Sequence, residues 1–225
     1  MVTFVIATRN SHKVGEIRAI LGAGFRCLDL NSFPGSPAVV EDAPSFAGNA
    51  AKKAEALATW IAPGKGVAGE PAGSVFVLAD DSELEVDALQ GAPGVHSARF
   101  AACDTGHQGN SPDADNNAKL LRLLGETPRE QRTARFRCVV ALTPVTWING
   151  QGDGKAENRT QIFDGACEGS IRFETAGQGG FGYDPLFVPV GYVETFAQLG
   201  EEVKNQLSHR SKALAQMKAW LTSTF

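Results

Sequence analysis

The sequence predicts an α/β or mixed α+β fold built on a mixed β-sheet, and three observations predict it. Short apolar runs rich in β-branched residues alternate with segments whose apolar residues recur at helical spacing. The order of these elements follows no regular βα repeat, which favours a mixed sheet over a purely parallel one. At 225 residues, 43% hydrophobic and 20% charged, the chain is long enough to bury a core and lacks the composition of a disordered one. A single domain spanning 1–225 is expected.

Thr3 to Ala7 reads as a strand that leads through Thr8-Arg-Asn-Ser-His-Lys13 into a helix carrying Val14, Ile17, Ile20 and Leu21, with Gly22 and Gly24 to stop it. Another apolar stretch runs from Phe25 to Leu30. Asn31 to Pro44 contains three prolines and no clean periodicity, so it reads as a loop, with Glu41 and Asp42 near its end. Ser45 is an N-cap candidate for a helix whose buried stripe is Ala50, Ala54, Leu57, Ala58 and Ile61, with Asn49 and Lys53 sharing a face. Pro63 to Gly73, with four glycines and two prolines, reads as an exposed loop.

Val75 to Ala79 reads as a buried strand whose carboxyl end presents Asp80-Asp81, followed by a second short strand from Leu84 towards Leu89 and a turn at Gly91 to Gly94. Ser111-Pro112-Asp113 starts a helix with proline at its first position, packed by Leu120, Leu121, Leu123 and Leu124 and ended by Gly125. Ala134 to Leu142, Thr160 to Phe163 and Cys167 to Phe173 read as strands. Ser208 to Leu221 is the last helix, with Leu214, Met217 and Leu221 facing the core.

The formal net charge of −4 argues against a footprint on polymeric nucleic acid, which needs clustered Lys and Arg, but leaves room for a free nucleotide held by a few local cations. The four cysteines show neither a CxxC pair nor metal-ligand spacing, so reduced thiols are expected. The N-terminal apolar run is too short for a signal-peptide core, and no run approaches the roughly 20 apolar residues of a membrane span. A cytoplasmic protein with no membrane partner is expected.

Four segments can carry chemistry. Thr8, Arg9, Asn10, Ser11, His12 and Lys13 join a strand to a helix N-terminus, where unpaired backbone N–H groups and the helix dipole attract anions. Thr8 and Asn10 can hydrogen-bond phosphate oxygens and Lys13 can add a point charge; the alternative is that Asn10 or Ser11 caps the helix and Lys13 is solvated. Asp80 and Asp81 repel each other unless a cation compensates, and Mg²⁺ suits such oxygens, with Glu41 as a further candidate ligand. Because adjacent strand residues point to opposite faces, one aspartate would meet the metal while the other orients its surroundings; an acidic turn is the structural alternative. Gly177 to Pro185 combines four glycines with Phe181, Tyr183 and Asp184, offering close backbone approach at positions such as Gly182, a stacking face and an acceptor. Lys204, Ser208, His209 and Arg210 form a polar cluster before the last helix. Lys and Arg only donate, so they suit a base with an exocyclic carbonyl and leave an exocyclic amino group unanswered.

Taken in order, Ala-Thr-Arg-Asn-Ser-His-Lys13, Phe46 with Asn49-Ala50 and Lys53, Ala-Asp-Asp-Ser82, Gly-Ala-Pro-Gly-Val-His-Ser-Ala-Arg99, Gly-Gly-Phe-Gly-Tyr-Asp-Pro185 and Lys204 with Ser-His-Arg210 resemble the inosine triphosphate pyrophosphatase family over nearly the whole chain. The resemblance implies an elongated, two-lobed subunit with the nucleotide in a cleft between the lobes, a homodimer, and Mg²⁺-dependent cleavage of ITP, dITP or XTP to the monophosphate and pyrophosphate. It implies that Thr8, Asn10, Lys13 and Lys53 bind the triphosphate and that Asp81 accepts a proton and ligates metal with Glu41. It also implies that Ser82, Phe181, Gly182, Tyr183, Asp184, Lys204, His209 and Arg210 contact substrate. Glu83 stands where the family commonly has glycine, and Val203 where an acid is frequent. A non-catalytic nucleotide-binding module and a pyrophosphatase for other modified nucleotides are the competing readings.

Overall fold

The fold is described from a computed structural model of the chain, covering residues 1–62, 67, 70–71, 73–104, 106, 109–146 and 160–224. In chain order the elements are β1 (Thr3–Ile6), α1 (Ser11–Leu21), β2 (Arg26–Leu28), α2 (Phe46–Ile61), β3 (Val75–Val86), α3 (Asp113–Leu124), β4 (Thr133–Pro144), β5 (Gln161–Ile171), β6 (Phe187–Pro189), α4 (Phe196–Leu207) and α5 (His209–Thr224), with short 3₁₀ turns between some of them. The strands form one six-stranded sheet in the order β2-β1-β3-β4-β5-β6. It is mixed, as expected: β1 runs parallel to both β2 and β3, whereas β5 and β6 are antiparallel.

The chain divides into two compact units, each with a core of its own. The first comprises residues 1–81, 139–163 and 214–225. In its core Val5, Ala7, Val75, Val77, Ala79, Val139 and Ala141 pack against the stripe Ala50, Ala54, Leu57, Ala58 and Ile61 of α2, the stripe read from the sequence. Ser45 caps α2 by accepting from the Gly48 amide. The second unit comprises residues 82–138 and 164–213, and its core joins Leu84 and Val86 to Leu120 and Leu124 of α3 and to Phe136, Phe187 and Phe196.

Several boundaries differ from the sequence reading. β3 does not stop at Ala79 but continues through Asp80 and Asp81 to Val86, so the acids sit in the middle of a strand rather than at its end. A hydrophobic run marks where a strand is buried, not where its backbone pairing ceases; charged residues extend a strand when cations from neighbouring elements answer them. The two strands expected around Gly165 are likewise one, β5, and a side chain at Gly165 would collide with the backbone of α5 at His209 and Ala213. Pro112 occupies the N-cap position and α3 begins at Asp113. The elements α4 and β6 were not anticipated, and most of the Pro63 to Gly73 loop lies outside the described residues. Among the described residues, no helix is long and apolar enough to cross a membrane.

Candidate functional site

Alternation along β3 sorts the acid pair. Ala79, Val77 and Val75 face α2, and Asp81 shares their side; Asp80 points to the other side, where α1 lies. Each aspartate meets a lysine from the helix on its own face. Lys13 Nζ of α1 is 2.5 Å from Asp80 Oδ1, and Lys53 Nζ of α2 is 3.2 Å from Asp81 Oδ1. Lys53 also donates to Glu41 Oε2 at 3.1 Å and to the Asp80 carbonyl at 3.3 Å.

These environments set the charges. Burial pushes the Asp81 carboxyl above the usual aspartate range, opposed by the attraction of Lys53 and Lys13 and reinforced by Glu41. For Lys53, burial works against the ammonium, but the combined pull of Asp81, Glu41 and Asp80 raises its pKa above the ordinary value. The cluster therefore contains a lysine held charged beside an aspartate made more basic than usual.

The loop bearing Glu41 is strapped to α2. Asn49, buried in the helix, accepts from the Ala43 amide at 2.9 Å, and Lys52 reaches Asp42 at 2.5 Å. At the head of α1, Asn10 Oδ1 accepts from the His12 and Lys13 amides and Thr8 Oγ1 accepts from the Asn10 amide, so both side chains shape the helix start. Arg9 reaches across to the Ser36 hydroxyl and carbonyl. Ser11 and His12 are exposed on the first turn.

The three acids expected to hold Mg²⁺ are not equivalent. The Asp80 side chain has no exposed surface, while those of Asp81 and Glu41 are 18% and 41% exposed. Asp80 is thus placed as a buried support, and Asp81 with Glu41 retains accessible oxygen. Among the described residues no three His, Cys, Asp or Glu side chains close into a metal cage. Two partly accessible carboxylates, Asp81 and Glu41, suit the oxygen preference of Mg²⁺, which takes few protein ligands and fills the rest of its shell with water and other oxygens.

The remaining candidates assemble in the second unit. Lys204, in the last turn of α4, forms a buried ion pair with Asp184 at 2.5 Å and lies 4.5 Å from the centre of the Phe181 ring. Asp184 Oδ2 also accepts from the Phe181 amide. A Cβ at Gly180, whose φ is +74°, would overlap Asp184, so only glycine permits this turn. Arg210 donates to Ser82 Oγ at 3.0 Å, and its guanidinium carbon lies 6.0 Å from the Phe181 ring centre. His209 stacks on Phe136 at 4.8 Å.

Two expectations change here. Tyr183 does not offer a stacking face: it is 3% exposed, and its hydroxyl donates to the Ser97 carbonyl at 2.9 Å. Burial, then the neighbouring Asp113, pushes its phenol far above the ordinary range. Phe181 remains as the partly exposed ring. Nor do His209 and Arg210 precede the last helix, since Ser208 closes α4 and α5 opens at His209; Lys204 and Arg210 still converge on the Phe181 ring. Sequence reasoning missed Ser97, Asp113 and Asn117, which hold the Phe181 to Tyr183 turn; the four-residue spacing of Asp113 and Asn117 was the available signal.

The pattern of the Ham1 family matches residues 4–220 of the chain. A curated dITP/XTP pyrophosphatase of Desulforamulus reducens is 46% identical over 211 residues, covering 93% of this chain and 90% of its own length. One of Geobacter sulfurreducens is 43% identical over 219 residues, covering 97% and 96%. Among solved structures, the Staphylococcus aureus Ham1 protein superimposes with a TM-score of 0.75 at 33% identity, over 99% of this chain and 100% of that one.

Proposed function

Since the chain belongs to the Ham1 family, we propose that it is a nucleoside triphosphate pyrophosphatase that hydrolyses the deaminated purine nucleotides ITP, dITP and XTP to the monophosphate and pyrophosphate. The observation that carries the reading is the division of Asp80 and Asp81 onto two faces of β3, each met by a helix-borne lysine, with Asp81 left partly accessible and unusually basic.

In this reading the phosphates bind at the head of α1, where the amides of the first turn and Lys13 attract anions, and Lys53 adds a second charge. Asp81 takes a proton from the attacking water as it adds to the α-phosphorus. The bond between that phosphorus and the α–β bridging oxygen breaks, and pyrophosphate departs against Lys13 and Lys53. A Mg²⁺ ion bound by Asp81 and Glu41 would neutralise phosphate charge and lower the pKa of a bound water. Asp80, buried against Lys13, keeps that lysine in place.

Base recognition falls to Phe181, Asp184, Lys204, His209 and Arg210 of the second unit. Phe181 offers the ring, backed by two cations, and Lys204 and Arg210 favour the carbonyl of hypoxanthine or xanthine over the amino group of adenine. A homodimer acting in the cytoplasm completes the proposal. The test is a substrate panel with Mg²⁺, in which dITP and XTP release pyrophosphate far faster than dATP or dGTP. Equal rates on dATP would remove the basis for the specificity.

A further inference from the structure

Gly182 is gripped from both sides by one helix. Asp113 Oδ2 accepts from the Gly182 amide at 2.6 Å, and Asn117 Nδ2 donates to the Gly182 carbonyl at 3.0 Å. The two residues are four apart on α3 and so lie on the same side of it. The amide belongs to the peptide before Gly182 and the carbonyl to the peptide after it, so together the contacts fix both torsions of a residue whose φ is +62°. Glycine has more backbone freedom to lose than any other residue, and it sits between Phe181 and Tyr183. Tyr183 is tied separately to the Ser97 carbonyl. With its downstream neighbour anchored and Gly182 clamped, the backbone that carries the Phe181 ring is held from its C-terminal side.

Resting on the reading that Phe181 meets the base, we propose that Asp113 and Asn117 are positioning residues for purine recognition, setting the Phe181 ring through the Gly182 backbone without touching the nucleotide. Asn117 is buried, with its orientation set by the carbonyl, which only its amide nitrogen can serve. Asp113 is exposed and occupies the first turn of α3, so its removal tests the clamp without opening the core.

The experiment compares wild type, Asp113→Ala, Asp113→Asn and Asn117→Asp by steady-state kinetics on dITP and by hydrogen exchange across 177–186. Loss of one charge-assisted hydrogen bond predicts a KM for dITP raised about tenfold in Asp113→Ala, with kcat within about twofold and faster exchange at Gly182. Asp113→Asn, which keeps an acceptor, restores both; Asn117→Asp, which replaces the donor with a charge, raises KM again. A merely structural role would lower the active fraction, hence kcat, at unchanged KM. Wild-type KM and wild-type exchange in Asp113→Ala would overturn the clamp, whereas wild-type protein that does not turn over dITP would overturn the reading beneath it.

Discussion

Lys53 Nζ lies 3.2 Å from Asp81 Oδ1 and joins that carboxylate to Glu41, so one ammonium organises the strand acid and the loop acid together. Burial raises the Asp81 pKa, and Lys53 is the largest influence pulling it back.

Replacing Asp81 with Asn keeps the shape and removes the proton acceptor. Turnover of dITP should fall by about 10³-fold, the scale of a general base, while the circular dichroism spectrum stays as in wild type. Retention of full activity would return Asp81 to a structural role.

The pH dependence has a definite sign. The ionised carboxylate is the active form, and its pKa lies above the usual aspartate value, so the acid limb of kcat/KM should lie above pH of about 3.9. In Lys53→Met the main stabilising charge is gone, the pKa rises further, and residual activity should fall off at a higher pH than in wild type. A limb that moves to lower pH would contradict the assignment.

The Lys204–Asp184 pair is almost completely buried, so Asp184→Ala removes the carboxylate that answers a buried ammonium. A loss of about 3 kcal/mol in denaturant unfolding is expected, with KM for dITP raised. Adding Lys204→Met to that variant should recover part of the stability, because the charge is removed with its partner.

At Gly165 any side chain would meet the backbone of α5, and Gly165→Ala should cost about 3 kcal/mol in thermal or denaturant unfolding. Tyr183→Phe removes only the hydroxyl that donates to Ser97, so it should cost about 1 kcal/mol and leave the preference for dITP over dATP intact.

Much of the site was legible from local chemistry. The period-two rule divided Asp80 from Asp81 correctly, and Ser45, Asn49 and Lys53 were placed on their helix by spacing alone. The continuity of β3 was not legible, because a sequence window ends the strand where the apolar run ends, while the cations that answer its two acids, Lys13 and Lys53, stand 67 and 28 positions away from them. The element α4 escaped notice because Gly200, at φ +81°, interrupts its helical geometry and spoils the periodicity of Phe196 to Leu207. Asp113 reads only as an acid at the start of α3, because its four-residue spacing to Asn117 puts the two on one face without saying that Gly182 folds back against them.

The most direct measurement is the identity of the phosphate product released from dITP and dATP by the purified protein with Mg²⁺. Inorganic pyrophosphate from dITP, with dATP turned over far more slowly, is the predicted result. Orthophosphate as the first product, or equal rates on the two substrates, would contradict it.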